Sequence, residues 1–165
     1  MPAARRTPSR RIHPGSRATD VSGLGEALEF MRALWEIDHS LRRVSKSMES
    51  MLGITGPQRL VIRMVGRFPG IAPGDLASIL HVDPSSLTGM LERLRRNGLL
   101  SRRSDPEDAR RSVLSLTARG RAVDRVRSGT VEAAVVVALK AQPRARVTGA
   151  HRVLEAVARE LARIR

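Results

Sequence analysis

Apolar residues recur along this chain with two different periods, and the change of period separates the elements it predicts. From Leu24 to Leu52 they fall as Leu34, Leu41 and Met48 and again as Ile37, Val44 and Met51, two interleaved series spaced by seven residues. That is the seam of a long helix packing along another helix, and Gly53 ends it. Next, Thr55 is followed three residues on by Gln58, with Pro57 in the first turn, a capping-box opening to a helix whose face is Leu60, Val61, Met64, Val65 and Phe68. Pro69-Gly70 breaks the chain. A short helix over 73–80 turns Leu76, Ala77 and Leu80 inward. Asp83-Pro84 then starts another, since Asp is a preferred N-cap and Pro is tolerated at the first helical position. This helix sets Leu87, Met90, Leu91 and Leu94 on one face and stops at Gly98. Only His81, Val82 and Asp83 separate the two helices, the spacing of a helix-turn-helix.

The period then drops to two. "LLSRRS" (Leu99 to Ser104) reads as a strand, Asp105-Pro106 as a turn, and Ser112 to Leu116 as a second strand with Leu114 and Leu116 on one face. A hairpin alone is marginal in water. Beginning just past the helix cap, this one leans on the preceding helix as a wing. After Thr117, a candidate N-cap, one helix is predicted through Val123, Val126, Val131 and Ala134 into "AAVVVAL". Its second half is apolar all round and is expected to be buried on more than one side. Gln142-Pro143 ends it. The last helix repeats the seven-residue spacing in Val147, Leu154 and Leu161 beside Ala150, Val157 and Ile164. One chain of 165 residues has trouble covering so many seams; a symmetric dimer covers them.

The fold class that follows is mainly α with a small β-hairpin, a winged helix-turn-helix plus a helical dimerisation region. Residues 1–20 are set apart as a basic disordered tail and 21–53 as a first dimerisation helix. Residues 54–117 form the winged segment, and 118–165 the C-terminal dimerisation helices.

Charge adds the partner. The formal net charge is +14 and the pI near 11.8, which points to a polyanion, nucleic acid or an anionic membrane. No run approaches the ~18 apolar residues of a membrane span. Aromatic residues make up 2% of the chain, so the core is aliphatic. There is no Cys, which excludes disulfides, thiolate catalysis and thiol redox sensing. The four histidines, His13, His39, His81 and His151, stand in no nucleophile or metal motif. The chain therefore reads as a non-enzyme with no cofactor and no metal. The first twenty residues are rich in Arg, Pro and Ser and read as a disordered tail, a DNA-tracking arm or an organellar transit peptide. They lack the apolar region of a secretory signal, and the expected location is the cytoplasm, in association with the nucleoid.

Double-stranded DNA is the expected partner. Opposite the apolar face of the helix from Pro84 lie Ser85, Ser86, Thr88, Gly89, Arg93 and Arg96, small and polar at the N-terminal end where a groove floor would approach. Arg103, Arg110 and Arg111 of the wing join them as DNA contacts. Arg110, just past the tip, is placed to enter the flanking minor groove. A carboxylate so near phosphates is repulsive unless paired, so Asp108 is assigned to holding an arginine: Arg110, Arg93 or Arg96. A sequence-tolerant, nucleoid-type DNA binder shares the charge and the wing, and it stands as the alternative to a regulator.

The stretch "LTGMLERLRRNGLLSRRSDPEDARRSVLSLTARGR" resembles the recognition helix and wing of MarR-type winged helix-turn-helix regulators. Their wing pattern, an Asp, a variable residue, an Arg and a strand closing in Leu-Thr, falls on Asp108, Arg110 and Leu116-Thr117. The order of elements matches from about Leu24 to the C-terminus. The resemblance implies a homodimeric transcription factor, a repressor on a pseudo-palindromic operator, dimerising through the first and last two helices and released by a small-molecule effector. The effector pocket is expected between the dimer helices and the winged segment, with Met31, Trp35 and His39 as candidates. Two positions depart from the pattern: Ala109 stands where an Arg is common after the wing Asp, and Gly89 where an Arg often follows the recognition-helix Thr. The Cys of the peroxide-sensing branch is absent.

Overall fold

The computed structural model describes residues 25–108 and 110–164; the basic tail of residues 1–20 lies outside them. The elements run α1 (Glu26–Leu52), α2 (Gly56–Arg67), α3 (Pro73–Leu80), α4 (Pro84–Arg96), β1 (Leu100–Ser104), β2 (Ser112–Leu116), α5 (Ala118–Arg125), α6 (Val131–Lys140) and α7 (Arg144–Leu161). They divide into two units, one ending at Glu36 and one beginning at Ile37. Of the first, the opening turns of α1 are described, with Arg32 and Glu36 paired at 3.8 Å on their surface.

In the second unit, Thr55 and Gln58 close the capping box. The Thr55 hydroxyl accepts the Gln58 N–H at 3.5 Å and the Gln58 side-chain oxygen accepts the Thr55 N–H at 3.0 Å. Val61, Ile62 and Val65 then face Leu76, Ala77, Leu87, Leu91 and Leu94, with Ile54, Leu99, Leu100 and Leu114 closing one aliphatic core. Each such side chain contributes about 1.5–3 kcal/mol by leaving water. The apolar face expected of α2 needs correction. Leu60 and Phe68 are exposed, while Ile62 is fully buried and Gln58 and Arg59 are buried beside it. Arg59 turns that side of α2 inward because the end of α5 offers it carbonyl oxygens.

β1 and β2 pair antiparallel in the register Leu100↔Leu116 through Ser104↔Ser112. The outer edge of β2 is covered, since the Gly70 N–H donates to Leu114 O at 3.0 Å and the Leu114 N–H to Ile71 O at 3.0 Å. Thr117 joins wing to helix. Its hydroxyl donates to Gly98 O at 2.6 Å and accepts the Gly120 N–H at 3.0 Å, capping α5. Gly120 is obligatory there, because a Cβ would stand 2.0 Å from Leu99 O.

Three further expectations change. The single helix predicted after Thr117 is two, α5 and α6, broken at Val126 to Gly129, where Gly129 adopts φ +68° and Thr130 caps the restart. No residue of α6 is buried, with Val137 70% exposed, so its apolar surface is not covered by the described residues. The seam of α1 is partly used internally: Met48 is buried, while Ile37, Leu41 and Met51 are exposed. On α7, Leu154 and Leu161 are exposed, and so is Ile164, which falls past the end of the helix rather than on its seam.

Candidate nucleic-acid interface

The interface is built on the turn between α3 and α4. His81 ends α3 in the left-handed conformation (φ 51°, ψ 44°) and donates its N–H back to Ala77 and Ser78, so the chain reverses within three residues. Asp83 occupies the N-cap position of α4 as expected, but its side chain makes no capping hydrogen bond. Leu87, Leu91 and Leu94 bury one face of α4 in the core. Packing alone therefore decides that Ser85, Ser86, Thr88, Gly89, Arg93 and Arg96 all face outward, and all six are exposed. Thr88 donates its hydroxyl to Pro84 O at 2.7 Å, leaving its oxygen as an acceptor. A Cβ built on Gly89 meets nothing within 4 Å. Nothing inside the protein requires a glycine at that place.

Charge is arranged along the same helix. Arg95 is engaged by Glu92 at 2.7 and 3.1 Å. Its hydrogen bond holds the Glu92 carboxyl below the usual carboxylate value, and the reciprocal bond raises the Arg95 guanidinium. Among the described residues Arg93 and Arg96 make no such pair. They stand in the last turn of α4, where a cation complements the helix dipole.

The wing continues the surface. Arg103 is exposed on the strand face opposite Arg102, whose Nε donates to Ser112 Oγ at 2.8 Å. At the tip, Asp105 accepts the Glu107 N–H at 3.0 Å and Asp108 accepts the Arg110 N–H at 3.0 Å, while Asp105 N–H and Arg111 O bond at 2.9 Å. Asp108 thus holds the main chain of Arg110; among the described residues it makes no ion pair with Arg110, Arg93 or Arg96. Arg111 is not free, since it reaches Asp75 of α3 at 3.4 Å and tethers the wing to the helix-turn-helix. Arg110 is exposed and is the basic group of the tip, beside Asp105, Glu107 and Asp108.

Sequence reasoning missed Asp75 and Thr117 as wing supports, and Arg59 altogether. For Asp75 no signal existed, because its partner is 36 residues away. Met31 and Trp35 are exposed on α1, and so is His39. A shallow cleft of about 390 Å³ lies elsewhere, between the end of α2, β2 and α5, with Leu116, Arg121 and Arg125 in its wall. Among the described residues no group of three His, Cys, Asp or Glu is placed to hold a metal, and no helix is long and apolar enough to cross a membrane.

The profile of the MarR family matches residues 52–111, from the end of α1 to the wing. The HTH-type transcriptional repressor Rv2887 of Mycobacterium tuberculosis is 30% identical over 112 residues, 68% of this chain and 81% of that protein. The multiple antibiotic resistance protein MarR of Salmonella typhimurium is 31% identical over 98 residues, 59% of this chain and 68% of that one. Among solved structures, reduced MarR from E. coli superposes with a TM-score of 0.59 at 27% identity, covering 81% of this chain and 98% of that one. S. aureus MepR in its DNA complex superposes with a TM-score of 0.65 at 17% identity, covering 80% and 97%, a likeness of fold.

Proposed function

This chain belongs to the MarR family, and we infer that it acts by laying α4 in the major groove and the wing tip in the flanking minor groove. It is a DNA-binding transcriptional regulator, a repressor that works on double-stranded DNA as a homodimer. The observation that carries the reading is the outward face of α4. Its N-terminal half is small and hydroxylated, its C-terminal half ends in Arg93 and Arg96, unpaired among the described residues, and Gly89 is left open by the protein's own packing. A helix fits the roughly 12 Å width of the major groove, and hydroxyls and guanidinium groups are the donors that read base edges and phosphates there. We assign Ser85, Ser86, Thr88, Gly89, Arg93, Arg96, Arg103 and Arg110 to DNA contact. Arg111 and Asp108 shape the wing.

The domains are assigned as 54–117 for DNA and 21–53 with 118–165 for pairing. Support comes from the exposed apolar residues of α1, α6 and α7, among them Leu41, Val137, Leu154 and Leu161, which an obligate interface above about 2,000 Å² would remove from water. Release by a small-molecule effector is part of the same proposal, with Met31, Trp35 and His39 as the candidate effector contacts. Action in the cytoplasm follows from the regulator role.

The test is selection from randomised duplexes. A pseudo-palindrome with half-site centres about one helical turn, roughly 10 bp, apart is the expected product, bound with an affinity that falls steeply with salt. Recovery of no inverted repeat overturns the regulator reading in favour of a sequence-tolerant nucleoid-type protein.

A further inference from the structure

Arg59 is a buried cation that takes no part in the DNA surface. Its side chain is 1% exposed, and each of its three nitrogens has an acceptor. Nη1 donates to Val123 O, Nη2 to Val126 O at 2.6 Å and to Asp124 O at 3.4 Å, and Nε to the Glu132 carboxylate at 2.7 Å. Nη2 also lies 2.5 Å from Glu132 Oε1. Arg63, one turn on, pairs with Asp124 at 2.7 Å and stands 3.8 Å from Glu132.

The positions of these partners give the pair a consequence beyond stability. Val123, Asp124 and Val126 close α5, which packs on α2 and β2 as part of the winged unit. Glu132 is in the first turn of α6, after the break. The guanidinium takes carbonyls that a continuing helix would have used, so it ends α5; through its remaining edge it aims α6. Little else does. No residue of α6 is buried, and the linker passes through Gly129 at φ +68°, a residue with a wide conformational range. A lysine does not substitute, because only the planar fork serves several carbonyls and a carboxylate at once.

We propose that the Arg59–Glu132 pair sets the angle of the α6–α7 arm against the winged unit, and thereby the half-site spacing the dimer accepts. This rests on the dimeric reading above. The leverage is large: α7, with 18 residues, is about 27 Å long. A tilt of about 10° displaces one end of such a helix relative to the other by about 5 Å, more than the roughly 3.4 Å between successive base pairs. Arg59 and Glu132 are thus positioning residues, acting on specificity without touching DNA.

The experiment uses the full chain and two readouts. Glu132→Ala leaves Arg59 its three carbonyls, so the winged unit stays capped while the arm is freed. Because the chain has no cysteine, Ser78→Cys on exposed α3 carries a single spin label, and the label-to-label distance across the DNA-free dimer reports the angle. The wild type should give a narrow distribution, and should prefer one operator spacing at least tenfold over spacings one base pair longer or shorter. Glu132→Ala should keep helix content, dimerisation and affinity for an isolated half-site, broaden the distribution, and discriminate spacings less than threefold. A Glu132→Ala dimer with wild-type width and wild-type spacing ranking overturns the proposal. Should Glu132→Ala not dimerise, Glu132→Gln carries both readouts and wild-type behaviour there overturns it equally. A wild type without any spacing preference defeats the two-half-site reading instead, and the label distances still decide the hinge.

Discussion

Gly89→Ala is expected to stabilise the protein and weaken it as a DNA binder, and each half of that prediction has its own structural ground. Glycine in an exposed helix interior costs about 0.8–1 kcal/mol relative to alanine, through the backbone entropy it loses on folding. Gly89 is exposed, lies in the middle of α4, and has no left-handed φ to preserve. The added methyl meets no atom within 4 Å, so no clash offsets the gain. Urea unfolding at one fixed protein concentration, needed because dimer stability depends on it, should show a gain of about 1 kcal/mol per protomer. The same methyl projects from the face assigned to the groove floor, where close approach leaves no room for it. Operator affinity should therefore fall about tenfold or more, about 1.4 kcal/mol. A loss of stability refutes the packing argument. Unchanged or tighter operator binding refutes the placement of this face against DNA.

Other substitutions read other parts of the structure. Gly120→Ala should have the opposite sign, costing about 3 kcal/mol or more because its Cβ would stand 2.0 Å from the Leu99 carbonyl; a thermal shift of a degree or less would contradict that. Arg110→Ala should weaken operator binding by about 1–3 kcal/mol with dimerisation unchanged, checked by titration on labelled operator. Asp108→Ala should also weaken it, although it removes a negative charge, because it releases the Arg110 N–H that fixes the tip; tighter binding would mean the acid is no organiser. The Glu132 carboxyl is pushed up by burial, but the Arg59 hydrogen bond and charge, with its own backbone N–H and Thr130, outweigh this and hold it below the usual value. Its stabilising effect is therefore present above the unfolded carboxylate value, about 4.3, and is lost as pH falls through the lower folded value. The stability difference between wild type and Glu132→Gln should shrink as pH falls below about 4.3, and a difference that grows on acidification would sink the argument.

Local features could be read without coordinates, because their causes are local. The Thr55–Gln58 capping box, the three-residue turn at His81 to Asp83 and the alternation that makes each wing strand depend on residues a few positions apart. The outward face of α4 was legible for the same reason: three leucines at helical spacing fix which way Ser85, Gly89 and Arg93 point. Where the partner is distant, periodicity failed. It joined α5 and α6 into one helix and turned Leu60 inward, since nothing in the pattern marks Arg59 of α2 as the group that takes the carbonyls of Val123 and Val126. Charge reasoning gave Asp108 an arginine side chain to hold, whereas in the folded tip it accepts the nearer Arg110 N–H. Spacing along a helix says which residues share a face. Only the tertiary structure decides which face a neighbour satisfies, because a buried guanidinium has to find its oxygens wherever the chain brings them.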